Sequence, residues 1–221
     1  MKLTWYGHAA FLLETNGIRV ILDPYRWPDA GGFLPIEERA DLVVVSHEND
    51  RYHSHLGQIK PPFDVIRTLE IPQAGRTSHG LTFQGIHVFE DERRLPEDEV
   101  TMISFTVEGM RIAFLGDLGH ALRPEELAPI QGSDIVIAAT GGTPTIGLAD
   151  LHDLIDQIGP KVIVPMHYKV EGKINLNILP IESFLEEMKG TRVEHISGSS
   201  YEFDKTTMPT ERTIVSLQPA R

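Results

Sequence analysis

Four apolar, β-branched runs each end on a side chain that can bind a metal. They are Arg19-Val-Ile-Leu-Asp23, Leu42-Val-Val-Val-Ser-His47, Arg111-Ile-Ala-Phe-Leu-Gly-Asp117 and Lys161-Val-Ile-Val-Pro-Met-His167. Short apolar runs bounded by turn residues read as buried strands. Strands of this kind laid side by side would put two Asp and two His on one rim of a sheet. Imidazole and carboxylate together are the ligand set of zinc, iron and manganese sites. Taken singly, each has a plainer reading, with Asp starting a turn and His sitting as a satisfied boundary residue. Four such endings together favour a functional rim.

The elements that must position this rim are strand-heavy at first. Residues 2–6, 10–15 and 18–22 read as consecutive strands, with Asn16-Gly17 as a hairpin turn between the last two. A loop rich in Pro and Gly follows from Pro24 to Pro35, and loops at strand ends often shape a pocket mouth. Tyr25, Arg26 and Trp27 in it are candidates for a recognition wall. Strands recur at 42–46, 64–68, 80–89, 100–108 and 111–115, with Glu108-Gly109 as a second tight turn. Helical signals lie at 124–129, 148–158 and 180–189, and strand-like 192–197, 200–204 and 213–217 close the chain. Two batches of strands with helices attached predict an α+β fold of two mixed sheets packed face to face, helices outside. With no low-complexity segment or linker, residues 1–221 read as a single domain.

Composition narrows the setting. A chain of 221 residues at 41% hydrophobic and 24% charged has enough apolar material for one substantial core. A formal net charge of −12 argues against a nucleic-acid partner, which needs clustered Lys and Arg. No cysteine occurs, which excludes disulfides, thiolate metal sites and thiol nucleophiles. The first residues read as a strand, not a signal peptide, and no apolar run is long enough for a membrane helix. A cytoplasmic protein with a small-molecule substrate or ligand, and no membrane partner, is the expectation. Homo-oligomerisation through an outer helix stays open. Ser46 precedes His47, but no Gly-x-Ser-x-Gly elbow supports a serine nucleophile, and there is no phosphate-binding Gly-rich motif.

The order of segments resembles the metallo-β-lactamase superfamily, an αββα sandwich with its metal site on the edge where both sheets meet. More narrowly, it is similar to the small bacterial metal-dependent hydrolases that include the ascorbate-6-phosphate lactonase. The resemblance is carried by residues 3–14, Ile21-Leu-Asp-Pro24, Asp41-Leu-Val-Val-Val-Ser-His47, Gly116-Asp-Leu-Gly-His120, Gly141-Gly142 and Pro165-Met-His-Tyr-Lys169. These stretches run through nearly the whole chain in the family's order. The departures matter equally. The family's His-x-His-x-Asp-His signature, laid on His47, falls on Asn49, Arg51 and Tyr52. The family's next His falls on Phe89, with His87 two residues earlier. Asn is a poor ligand, Tyr a weak one, Phe none, and Arg51 puts a permanent cation where an anion belongs.

Two readings of an eroded two-metal site follow. In the first, one zinc, manganese or iron ion is held by His47, Asp117 and His167, with water in the open position. That metal would activate water for ester, lactone or phosphodiester hydrolysis. A shifted ligand set is a variant of it: His47, Asp50 and His53 are spaced by three, as on a helical turn, and His87 would join them. In the second, no metal is bound. Arg51 pairs with Asp117, acts as an oxyanion stabiliser or structural stand-in, and the pocket binds a small ligand. Asn49, Tyr52, His120 and Tyr168 are the candidate substrate contacts. His120 is a possible proton carrier and Tyr168 a hydroxyl aimed at a substrate oxygen. His8, after the first strand, would orient Asp23 or simply end the strand.

Overall fold

The computed structural model describes residues 1–174 and 176–221. Its first sheet has six strands in the order β13-β1-β2-β3-β4-β5. These are β1 (Lys2–Gly7), β2 (Ala10–Thr15), β3 (Ile18–Leu22), β4 (Leu42–Val45), β5 (Asp64–Arg67) and β13 (Ser200–Glu202). The second has eight, in the order β12-β14-β11-β10-β9-β8-β7-β6. They are β6 (Arg76–Ser78), β7 (Leu81–Phe89), β8 (Glu99–Val107), β9 (Met110–Phe114), β10 (Ile135–Ala139), β11 (Val162–Met166), β12 (Arg192–His195) and β14 (Thr213–Ser216). Both sheets are mixed: β3, β4 and β5 run parallel, as do β9, β10, β11, β14 and β12, while hairpins supply the antiparallel pairs.

The turn chemistry fixes the hairpins. Asn16-Gly17, His79-Gly80 and Glu108-Gly109 all have φ between 49° and 79°. Left-handed φ at both central residues suits a two-residue turn whose twist matches its strands, and Gly adopts it without a Cβ penalty. Register follows directly, with Thr15 opposite Ile18, Ser78 opposite Leu81 and Val107 opposite Met110. Parallel strands need both faces covered, and β4, β10 and β11 are buried at every residue. The run at β10 and the short β6 are additions to the strands that the sequence suggested.

Three apolar layers result. Between the sheets lie Trp5, Phe11, Phe83, Phe105, Phe114, Ile137 and Val164 among others. Helices α1 (Pro124–Leu127), α2 (Leu148–Ile158) and α3 (Ile181–Glu187) cover the outer face of the eight-stranded sheet. Leu151, Leu154, Ile155 and Ile158 of α2 recur at helical spacing and are all buried there. The outer face of the six-stranded sheet is covered differently. Tyr25, Phe33, Ile36, Ile59, Ile174 and Ile178 come from loops and pack on Tyr6, Leu12, Ile21 and Val43. The sandwich is therefore helical on one flank and loop-built on the other, because the Pro- and Gly-rich segment after β3 and the loops carrying Ile59, Ile174 and Ile178 supply the apolar side chains of that face.

Candidate metal centre

Parallel direction makes the site. β1, β3, β4, β7, β9 and β11 all finish at one edge of the sandwich, and His8, Asp23, Ser46-His47, Glu90, Asp117 and His167 follow them. His8, Asp23 and His167 all hold left-handed φ near 43–51°, and Gly116 before Asp117 does so at 56°. Left-handed geometry at a bulky residue costs roughly 1–2 kcal/mol. These turns lie where β1, β3, β9 and β11 end.

The hydrogen bonds fix the tautomers of two histidines. Asp23 is fully buried; its Oδ1 accepts from the Ser46 amide at 2.8 Å and its Oδ2 from the Ser46 hydroxyl at 2.6 Å. With that hydrogen spent, Ser46 Oγ can only accept from His47 Nδ1, 3.0 Å away. His47 Nε2 is therefore the bare nitrogen, and it lies 3.3 Å from Glu90 Oε1. His53 Nδ1 donates to Asp23 Oδ2 at 2.9 Å, so His53 Nε2 is turned on Asp117 Oδ2, also at 2.9 Å. His167 Nε2 stands 3.8 Å from Asp117 Oδ1. His8 packs edge-on against His167 and His53, with ring centroids 4.2 and 5.2 Å apart.

This donor set fits a cation. His47 Nε2, Asp117 Oδ1, His167 Nδ1 and both His8 ring nitrogens are buried without a hydrogen-bond partner. Two sets converge within 4.8 Å, one of His47, Glu90 and Asp117 and one of Asp23, His47 and His53. Lone pairs of an imidazole and a carboxylate 2.9 Å apart repel unless a proton or a metal ion lies between them. In the metal-free protein the proton is on His53. Burial works against it, but Asp117 and Asp23 override burial and raise His53 to about 10. Burial alone would raise Asp117, yet His53 and His167 hold its carboxyl well below the usual range. Burial, reinforced by neighbouring imidazoles, lowers His8 far below its ordinary value and pushes His47 down to about 4. Burial also lowers His167, and raises Glu90 together with the adjacent Asp117 charge.

The structure brings His47, Asp117 and His167 together and redistributes the rest. The carbonyl of Asn49 accepts from the amides of Tyr52, His53 and Ser54 at 2.8–3.1 Å. The chain wraps around that oxygen as a tight turn, not a helix, sending His53 inward and Asp50 and Arg51 outward. Asp50 pairs with Arg26 and His55 in solvent. Arg51 does not pair with Asp117, because its Nε donates to the Asp29 carbonyl and Asp117 is held by His53. Asn49 serves the turn, its Oδ1 accepting from Tyr52 N–H, while the Tyr52 ring stacks on His8 at 4.9 Å. His87 is exposed and pairs with Glu99, away from the site.

Two candidate substrate contacts have structural employment instead. Tyr168 is buried against Trp5 and donates its hydroxyl to Leu217 O. His120 accepts the Phe89 N–H at Nε2 and donates from Nδ1 to Ala121 O, which leaves no free nitrogen. Its work is to hold the end of β7, braced by the largely buried Arg94–Glu126 pair, whose guanidinium donates to the same Ala121 O. Tyr25 is likewise core, bonded to Leu34 O, whereas Trp27 is 46% exposed.

Glu90 is the ligand candidate that sequence reasoning passed over, one residue beyond Phe89. The only signal was a carboxylate following a strand of suitable direction. Its backbone is pinned by Gly119, whose amide donates to Phe89 O and whose missing Cβ would lie 1.6 Å from Glu90 O.

Residues 2–167 match the family model of the beta-lactamase superfamily domain. The chain belongs to the metallo-β-lactamase superfamily. Within it, the chain is similar to proteins of the UPF0173 group, several of them named as metal-dependent hydrolases. A UPF0173 protein of Pyrococcus abyssi is 28% identical over 87% of this chain and 93% of its own length. A UPF0173 metal-dependent hydrolase of Archaeoglobus fulgidus is 26% identical over 93% of this chain and all of its own. Among solved structures, a Thermotoga maritima protein assigned to the Zn-dependent hydrolases of this superfamily aligns with TM-score 0.78. It is 30% identical, over 98% of this chain and 99% of that one. The two-sheet fold is that of the superfamily. Among the described residues no helix is long and apolar enough to cross a membrane.

Proposed function

We propose that this protein is a single-metal hydrolase acting on an ester, lactone or phosphodiester, with His47, Glu90, Asp117 and His167 holding the ion. The carrying observation is the convergence of buried, unpartnered imidazole nitrogens and a carboxylate oxygen at one sheet edge. A divalent ion there would polarise the scissile carbonyl or phosphoryl group and lower the pKa of a coordinated water toward about 7. The chain's own residues prepare the place. Ser46 and Asp23 hold His47 and His53 in the tautomers that aim Nε2 inward, the orienting role that outer partners play at metal sites. Glu90, with its side chain 41% exposed, closes the donor set on the solvent side, where a substrate would arrive. Zinc, manganese and iron all accept this mixed donor set. The Arg51–Asp117 pairing of the metal-free alternative finds no support in the geometry.

Metal content by plasma mass spectrometry tests the reading, on untagged protein purified with and without added zinc, manganese and iron. About one equivalent, lost in His167→Ala, is the result expected for one such site. Metal-free protein under every condition would sink it.

A further inference from the structure

We infer that a small cavity beside the metal centre, headed by Arg51, receives an anionic group of the substrate distant from the bond being cleaved. The inference rests on the hydrolase reading and adds a substrate class to it: esters or lactones carrying a carboxylate or phosphate. The cavity measures about 150 Å³ and is lined by Asp29, Ala30, Gly31, Arg51, Tyr52 and Leu176. Tyr52 is shared between the two places, since its ring is stacked on His8 at 4.9 Å and 13°, and His8 touches His167. The Arg51 guanidinium lies 4.9 Å from the same ring, hence within about 10 Å of His8.

Arg51 is available in a way that its neighbour is not. Arg26 is saturated by Asp29 and Asp50, each at 2.6 Å. That pairing neutralises the one carboxylate that faces the cavity. Arg51 commits its Nε to Asp29 O at 2.8 Å and has no carboxylate within ion-pair distance among the described residues. Its terminal N–H groups remain a planar fork for a carboxylate or phosphate. The walls are preformed. Gly31 packs so closely on Lys173 O that a Cβ would lie 2.1 Å from it, Gly32 N–H donates to Lys173 O, and Lys173 Nζ donates back to Gly32 O. In a chain of net charge −12, Arg51 is a cation left without a carboxylate partner among the described residues, and an anionic group is held there. Binding energy gained away from the reacting bond positions that bond.

The test uses metal-loaded protein and a matched pair of aryl esters, p-nitrophenyl acetate and the p-nitrophenyl hemiester of glutaric acid. Wild type is expected to favour the hemiester in kcat/KM. Arg51→Ala is expected to cut that preference about tenfold or more, chiefly through KM, with metal content unchanged. A preference that survives Arg51→Ala overturns the inference, as does equal loss on both esters. Should neither ester be cleaved, the ester part of the hydrolase reading is what fails. Calorimetric titration of free glutarate into metal-free protein then decides the cavity: binding abolished in Arg51→Ala supports it, and no binding to wild type overturns it.

Discussion

At the residue scale, one hydroxyl decides how the site presents itself. Ser46 Oγ donates to Asp23 and accepts from His47, so a single hydrogen sets the direction of the chain that leaves His47 Nε2 bare. Ser46→Ala strands the buried His47 N–H and removes one donor to Asp23. The expected cost is about 1–3 kcal/mol in urea denaturation, with metal affinity weakened roughly 10–100-fold in a competition titration with a chelator. His53→Ala is harsher without metal, because Asp23 and Asp117 lose the cation between them. A loss of about 3–5 kcal/mol is expected there. Added metal should recover a large part of it, and recovery equal to that of wild type would contradict the placing of Asp117 in the ligand set. His53 was legible in the sequence only as one member of a spacing of three. Its true partners emerge from a turn around the Asn49 carbonyl, which no side-chain pattern announces.

At the element scale, the end of β7 and the loop after β9 act as one piece. Gly119 and His120 bind both backbone groups of Phe89, and the Arg94–Glu126 pair braces His120 from behind. Gly119→Ala would drive a methyl into Glu90 O, a contact that backbone must move to relieve. A destabilisation of about 1–3 kcal/mol is expected, together with weaker metal retention, because Glu90 and Asp117 would shift relative to each other. Retained metal affinity in the folded variant would separate Glu90 from the ligand set. The strands themselves were well marked in the chain: apolar runs in β2 and β3, and left-handed Asn-Gly and Glu-Gly pairs between strands. The flank over the six-stranded sheet was not. Its covering loop reads as a pocket mouth in sequence, and only packing shows Tyr25, Phe33 and Ile36 turned inward as core.

At the scale of the whole molecule, the buried charges tie stability to pH. In the metal-free protein His53 is raised to about 10 from an unfolded value near 6.5, so its contribution is complete below 6.5 and fades as pH climbs through 10. His8, His47 and His167 are lowered, so their neutral burial favours the fold above 6.5 and works against it as pH falls, for His47 down to about 4. The lowered Asp117 adds a loss in strong acid. The melting temperature of metal-free protein is therefore expected to peak near neutrality and to decline on both sides. A cation bound through Asp117 would offset that carboxylate where the His53 charge is lost, so loading should lift the alkaline side most. A flat alkaline limb in the metal-free protein would contradict a charged His53.

The chain alone determined the strand ends that carry Asp23, His47, Asp117 and His167, because apolar runs and turn residues act over a few neighbouring positions. It also determined the superfamily, through motifs kept in order along nearly its whole length. Tertiary structure decided which further side chains gather at that edge. Glu90 meets His47, and His53 meets both Asp23 and Asp117, across 30 to 64 residues of intervening sequence. Such meetings depend on the direction of strands, a carbonyl-centred turn and the absence of one Cβ at Gly119. These are properties of packed backbone, and local sequence patterns carry no record of them.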